Sequence, residues 1–181
     1  WGWPLAQDDA IARAGRAALA IRREFQEAVR APGHPLSNFR VGIGLAAGRA
    51  VAGRIGTSDQ VKVPVFGPVV NLASRLEGMT KLLHAPILID EAAAAYFRKH
   101  AAPDAPRCRR VARVRPYGSD EALEVSELLA PYSADDLTDQ NLRDYERALD
   151  QFIAGQWPEA LEMDADVKAR VDSMWAELGL E

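Results

Sequence analysis

The chain has 181 residues, 48% of them hydrophobic, with a net charge of −4 and a single cysteine. That is enough apolar material for one folded domain with an appendage. The acidic balance argues against nucleic-acid binding, and the lone Cys108 excludes an internal disulfide framework and fits a reducing, cytoplasmic compartment.

No apolar run approaches the ~20 residues of a membrane span, and nothing resembles a signal peptide. The start at Trp1 rather than Met reads as a fragment, with targeting, sensor or membrane segments expected upstream. The first predicted element is a helix over residues 8–30. Ile11, Ala14, Ala18, Ile21, Phe25 and Ala28 form its apolar stripe, Asp8 and Asp9 suit its N-terminus, and Pro32-Gly33 ends it. Strands are predicted over 39–45 and 61–66, joined by a Gly-rich segment.

A short, largely apolar helix follows within the stretch 66–78. Val69, Leu72, Ala73, Leu76, Met79 and Leu83 fall within one sector of a 3.6-residue period and should face a core. Asn71 and Arg75 lie at the edge of that sector, four residues apart and therefore one above the other. An amide offers donors and an acceptor, and a guanidinium is a rigid, permanently charged fork suited to phosphate oxygens. The pair suits a nucleotide, with ribose or base at one group and phosphate at the other. The alternative is that Arg75 pairs with a nearby carboxylate and Asn71 caps the helix.

Beyond it come a strand over 87–89, a helix over 91–98, and strands over 110–115 and 122–128, with Gly118-Ser119-Asp120 as the turn. The alternation reads as an α+β sheet covered by helices. After Pro131, Tyr145, Ala148, Leu149, Phe152 and Ile153 mark another helical stripe. Gly155-Gln156-Trp157-Pro158 breaks it, and a second helix is expected over 159–178. This tail, residues 131–181, looks like a single tetratricopeptide hairpin, which needs neighbours to bury its faces. It reads as an appendage packing on the core or its partner.

The glycines at Gly42, Gly44 and Gly48 do not have dinucleotide-fingerprint spacing, and tight turns and close approach account for them. No Walker-type phosphate loop and no G-x-S-x-G occurs. His34, His84 and His100 are scattered without metal-ligand spacing.

The order Gly42-Ile43-Gly44, Gly48, Gly53, Ile55-Gly56, then Phe66-Gly67-Pro68-Val69-Val70-Asn71-Leu72-Ala73-Ser74-Arg75-Leu76-Glu77, then Pro86-Ile87-Leu88-Ile89-Asp90-Glu91 resembles the catalytic domain of the class III nucleotidyl cyclases, the adenylate and guanylate cyclases. The resemblance runs from Trp1 to about Leu129. It implies a ferredoxin-like cyclase fold over residues 1–130, lacking its N-terminal metal-binding part. It also implies conversion of ATP or GTP to a 3′,5′-cyclic nucleotide and pyrophosphate, in signal transduction.

By the same resemblance, Asn71 would orient the ribose and Arg75 would stabilise charge on the α-phosphate. Gly67 and Pro68 would border the substrate. Pro68 stands where many relatives carry an Asp or Thr that helps to recognise the purine, so ATP and GTP are not separated. Tyr117 replaces a Lys that relatives often place near the terminal phosphates, a charge that Arg113 or Arg115 could supply. Mg²⁺ or Mn²⁺ would be held by aspartates expected upstream of Trp1, and the active site would form in a head-to-tail homodimer. The isolated chain should then be inactive. The alternative is a non-catalytic cyclase-like module that binds nucleotide or a partner.

Overall fold

The computed structural model describes residues 1–2, 5, 7–56, 61–115, 121–131 and 138–156. Helix α1 spans Ala10–Arg30, and its stripe of small side chains buries Ala14, Gly15, Ala18 and Ala28. Its C-cap Ala31 is extended, as the residue before a proline prefers. Strand β1 is Ile43–Leu45. Four two-residue strands then form a ribbon: β2 (Val51–Ala52), β3 (Ile55–Gly56), β4 (Val61–Lys62) and β5 (Val65–Phe66). Helix α2 is Pro68–Met79, β6 is Ile87–Asp90 and α3 is Glu91–Lys99. Strands β7 (Arg107–Val114) and β8 (Leu123–Leu129) precede α4 (Asp139–Ile153).

The main sheet has the order β1-β6-β8-β7, with β1 parallel to β6 and the other pairs antiparallel. Strand β6 is buried at every position, as a strand covered on both faces must be. Its side chains alternate between two cores. Ile87 and Ile89 join Ala18, Ala93, Ala94, Phe97 and Leu128 in one, whereas Leu88 joins Leu76, Ala85, Val111 and Val125 in the other. Leu76, Ile87, Leu88, Ile89 and Leu128 are all fully buried, and each such side chain contributes roughly 1.5–3 kcal/mol. The second core holds α2 against the sheet through Leu72, Leu76 and Met79, with Leu83 joining from the turn after the helix.

The α+β class expected from the alternation is the one adopted, but several bounds differ. Phe39 and Arg40 are not strand, and pairing begins only at Ile43, opposite Ile87. The strand expected over 61–66 is two pieces, because Pro64 has no N–H to give to a ladder. The Gly-rich connection supplies their partners β2 and β3. Strand β7 starts at Arg107 rather than residue 110, and its register shifts between Arg110 and Ala112. The turn at 118–120 and the helix expected over 159–178 lie outside the described residues.

Candidate active site

Helix α2 begins where Gly67 takes φ +151° and Pro68 follows at the first helical position. Gly is required there, since an added Cβ would sit 3.2 Å from the Arg49 carbonyl oxygen in a backbone conformation that L-residues rarely adopt. Pro68 gives up an N–H that the first turn does not use. The N-cap makes no side-chain capping bond, so Asn71 does not serve as the cap.

Asn71 and Arg75 share the outer face of α2, and both are exposed. Among the described residues, neither side chain has a hydrogen-bond or ion-pair partner. The inner face, Leu72 and Leu76, lines a cavity of about 300 Å³ together with Asp90, Glu91, Leu123 and Glu124. Three carboxylates make that cavity a poor host for a triphosphate. The anion-compatible side of α2 is the outer one, which carries Arg75.

Two features fix α2 in place. A Cβ on Gly44 would collide with the Ala73 carbonyl oxygen and the Glu77 nitrogen, so α2 lies directly on the β1 backbone. Further on, Val69 packs over Gly48 in the loop leaving β1. That loop is tied down by Asp90, whose carboxylate accepts the Ala47 N–H at 3.2 Å and the Ala93 N–H at 2.9 Å. The second bond caps α3, while the first reaches back across the sheet. Burial pushes the Asp90 carboxyl above its ordinary value, against the downward pull of these two amides. Sequence reasoning had no role for Asp90, although an Asp between an apolar strand and Glu-Ala-Ala is a helix-start signal.

The ribbon leads straight into this helix and carries an apolar surface. Val51, Ile55, Val65 and Phe66 are 72%, 59%, 46% and 58% exposed, with Val70 of α2 beside them in sequence at 38%. Val51 and Phe66 are direct cross-strand partners.

Gly67, Pro68, Asn71 and Arg75 are thus brought together by one helix. Arg115 is exposed and follows Val114, whose side chain packs against the core beneath α2. Tyr117 lies outside the described residues. No three His, Cys, Asp or Glu side chains converge to hold a metal ion among the described residues, and no helix there is long and apolar enough to cross a membrane.

Comparison with known proteins gives a consistent picture. The family model of the adenylate and guanylate cyclase catalytic domain matches residues 2–100. Adenylate cyclase 1 of Rhizobium meliloti (strain 1021) is 33% identical over 125 residues, 67% of this chain and 17% of that protein. Adenylate cyclase of Anabaena cylindrica is 35% identical over 96 residues, 52% of this chain and 18% of that protein. The chain therefore spans less than a fifth of the length of these curated relatives. Among solved structures, the guanylyl cyclase Cya2 superposes with a TM-score of 0.57 at 23% identity, covering 76% of this chain and 67% of that one. The adenylyl cyclase CyaB from P. aeruginosa gives 0.54 at 22% identity, covering 76% and 68%. At these identities the superpositions speak for the fold.

Proposed function

We propose, for a chain that belongs to the adenylate and guanylate cyclase catalytic domain family, that its complete protein converts a purine nucleoside triphosphate to a 3′,5′-cyclic nucleotide and pyrophosphate. The observation that carries this reading is the state of Asn71 and Arg75. A structural pair would be engaged in a cap and an ion pair; these two are exposed on one face, with no partner among the described residues. Groups that are placed by a rigid helix and left unsatisfied suit a ligand better than a fold.

In the reaction the ribose 3′-oxygen forms a bond to the α-phosphorus, the bond to pyrophosphate breaks, and the 3′-hydroxyl proton departs. The Asn71 amide would hold the ribose so that its oxygen points at phosphorus. Arg75 would place its fork on the non-bridging α-phosphate oxygens, where negative charge grows, and fixed charge of this kind is often the largest catalytic contribution. Gly67 and Pro68 border the substrate end of α2, and Arg115 and Tyr117 would approach the terminal phosphates. The divalent ions that the family implies find no ligand set among the described residues, so no step is assigned to them here.

The exposed apolar ribbon next to α2 supports a site completed by a second copy in a head-to-tail dimer, because apolar patches of this kind mark interaction surfaces. The test is cyclic-nucleotide formation by the complete protein with Mg²⁺ or Mn²⁺, comparing ATP, GTP and pyrimidine triphosphates. Turnover lost in Asn71→Ala and Arg75→Ala supports the assignment. Triphosphate binding without turnover in the wild type would instead indicate a non-catalytic nucleotide-binding module.

A further inference from the structure

Strand β7 carries four arginines and no acid, whereas α4 carries four carboxylates and two arginines. That difference is met across the seam between the two elements. The Arg110 N–H, on the edge of the sheet, donates to Glu146 Oε1 at 2.7 Å, and the Arg110 guanidinium donates to the Glu146 carbonyl oxygen at 3.3 Å and bonds the Asp150 carboxylate. Arg107 lies 3.5 Å from Asp139, at the first residue of α4. The Tyr145 ring covers the Arg109 guanidinium at 4.7 Å. Beside these polar contacts, Leu142 is the one apolar side chain of α4 that is buried, at 8% exposure; Tyr145, Ala148 and Leu149 are half-buried, and Phe152 and Ile153 are 61% and 44% exposed.

We infer that α4 is a charge-latched strap: Arg107, Arg109 and Arg110 form a receptor row on the β7 edge for its acidic and aromatic underside, and the helix leaves and returns as a unit while the sheet stays folded. Departure of α4 would leave the remaining charges paired. Arg109 remains paired with Glu127 at 2.8 Å, and Arg22 of α1 remains 3.9 Å from the other oxygen of that carboxylate. Arg110 keeps Glu124 at 3.5 Å. Undocking therefore orphans no buried charge, which is the usual reason that such a segment cannot come away. The sheet, by contrast, is held by side chains buried to 0% on both faces, among them Ile87, Leu88, Ile89, Val125 and Leu128, in addition to its own ion pairs. Local opening follows low apolar burial. A released 15-residue helix is only marginally stable in water, so its own amides would lose protection together with the Arg110 amide. The open state bares three guanidinium groups and an unpaired strand edge. This inference is independent of the catalytic reading.

Hydrogen exchange on the full chain tests it. Between 0.05 and 1 M NaCl the Debye length falls to about 3 Å. The amides of Arg110, Leu149 and Phe152 should then exchange about tenfold faster, equivalent to ~1.4 kcal/mol, while those of Leu88 and Val125 hold their rates. The double variant Glu146→Ala/Asp150→Ala should reach that faster exchange at low salt and lose the salt response. Salt-insensitive exchange in the wild type, or a single common rate for the α4 and core amides, would overturn the strap. So would a double variant indistinguishable from the wild type.

Discussion

The Arg109 guanidinium and the Glu127 carboxylate face each other across a register pair of β7 and β8, with Nε and Nη2 both 2.8 Å from the same oxygen. They are 4% and 0% exposed, and Tyr145 closes the cation from the other side. An ion pair removed from water to this degree gives its two members very unequal options. Each relies chiefly on the other, with Arg22 as a more distant second cation 3.9 Å from Glu127.

Glu127→Ala should therefore destabilise the chain by about 3–5 kcal/mol, because Arg109 is left buried without its counter-charge. Replacing both partners with apolar residues, Arg109→Met with Glu127→Leu, should recover most of the loss. Urea unfolding of the three variants measures this; a double variant no better than the single one would contradict it.

Asp90 should leave a signature in the pH dependence of stability. Its carboxyl is raised in the folded state, chiefly by burial. The stability it contributes is therefore present below its unfolded value, ~3.9, and is lost as pH climbs through the folded value. Asp90→Asn keeps an acceptor for the α3 cap but cannot ionise. Its stability relative to the wild type should rise with pH across that window and then level off. Asp90→Ala should cost roughly 0.5–2 kcal/mol from the lost cap alone, and more because the Ala47 N–H loses its acceptor as well.

Two glycines should differ in the kind of damage they report. Gly44→Ala drives a methyl group into the Ala73 carbonyl of α2 and should cost about 3 kcal/mol, the upper end for overpacking. Gly67→Ala strains a backbone at φ +151° and should cost about 1–3 kcal/mol. Thermal unfolding should rank them in that order.

Arg75→Ala should leave the melting temperature unchanged, since the side chain is exposed and has no partner among the described residues. Under the proposed reaction it should lower turnover of the complete protein by about 10²–10³-fold. Arg75→Lys should restore little of it, because an ammonium cannot reproduce the planar fork. Full activity in Arg75→Lys would mean that only charge is needed there.

How far the sequence reveals this arrangement depends on the range of the cause. Local causes were readable. The 3.6-residue spacing of Leu72, Leu76 and Met79 gave α2 its inner face and put Asn71 beside Arg75. Pro32 marked the end of α1 where the structure has it. The ribbon was hidden because its strands are two residues long and interrupted by Gly53 and Pro64, too short for any alternation to register. A run rich in arginine has no strand signature of its own, which puts the apparent start of β7 at residue 110; what makes residues 107–109 strand is their pairing with Leu129, Leu128 and Glu127 of β8, with the acid opposite Arg109 some 18 residues away. Nothing periodic in a chain announces a match of that kind.

The contact at Gly44 sets a tolerance for the whole molecule. With no side chain between β1 and α2 at that point, the height of Asn71 and Arg75 above the sheet is determined by main-chain atoms, whose dimensions are the same in every protein. Substitution among the leucines beneath the helix can then alter how firmly it is held without altering where it rests. Gly44 acts as a mechanical stop, and the pair is gauged from the sheet itself.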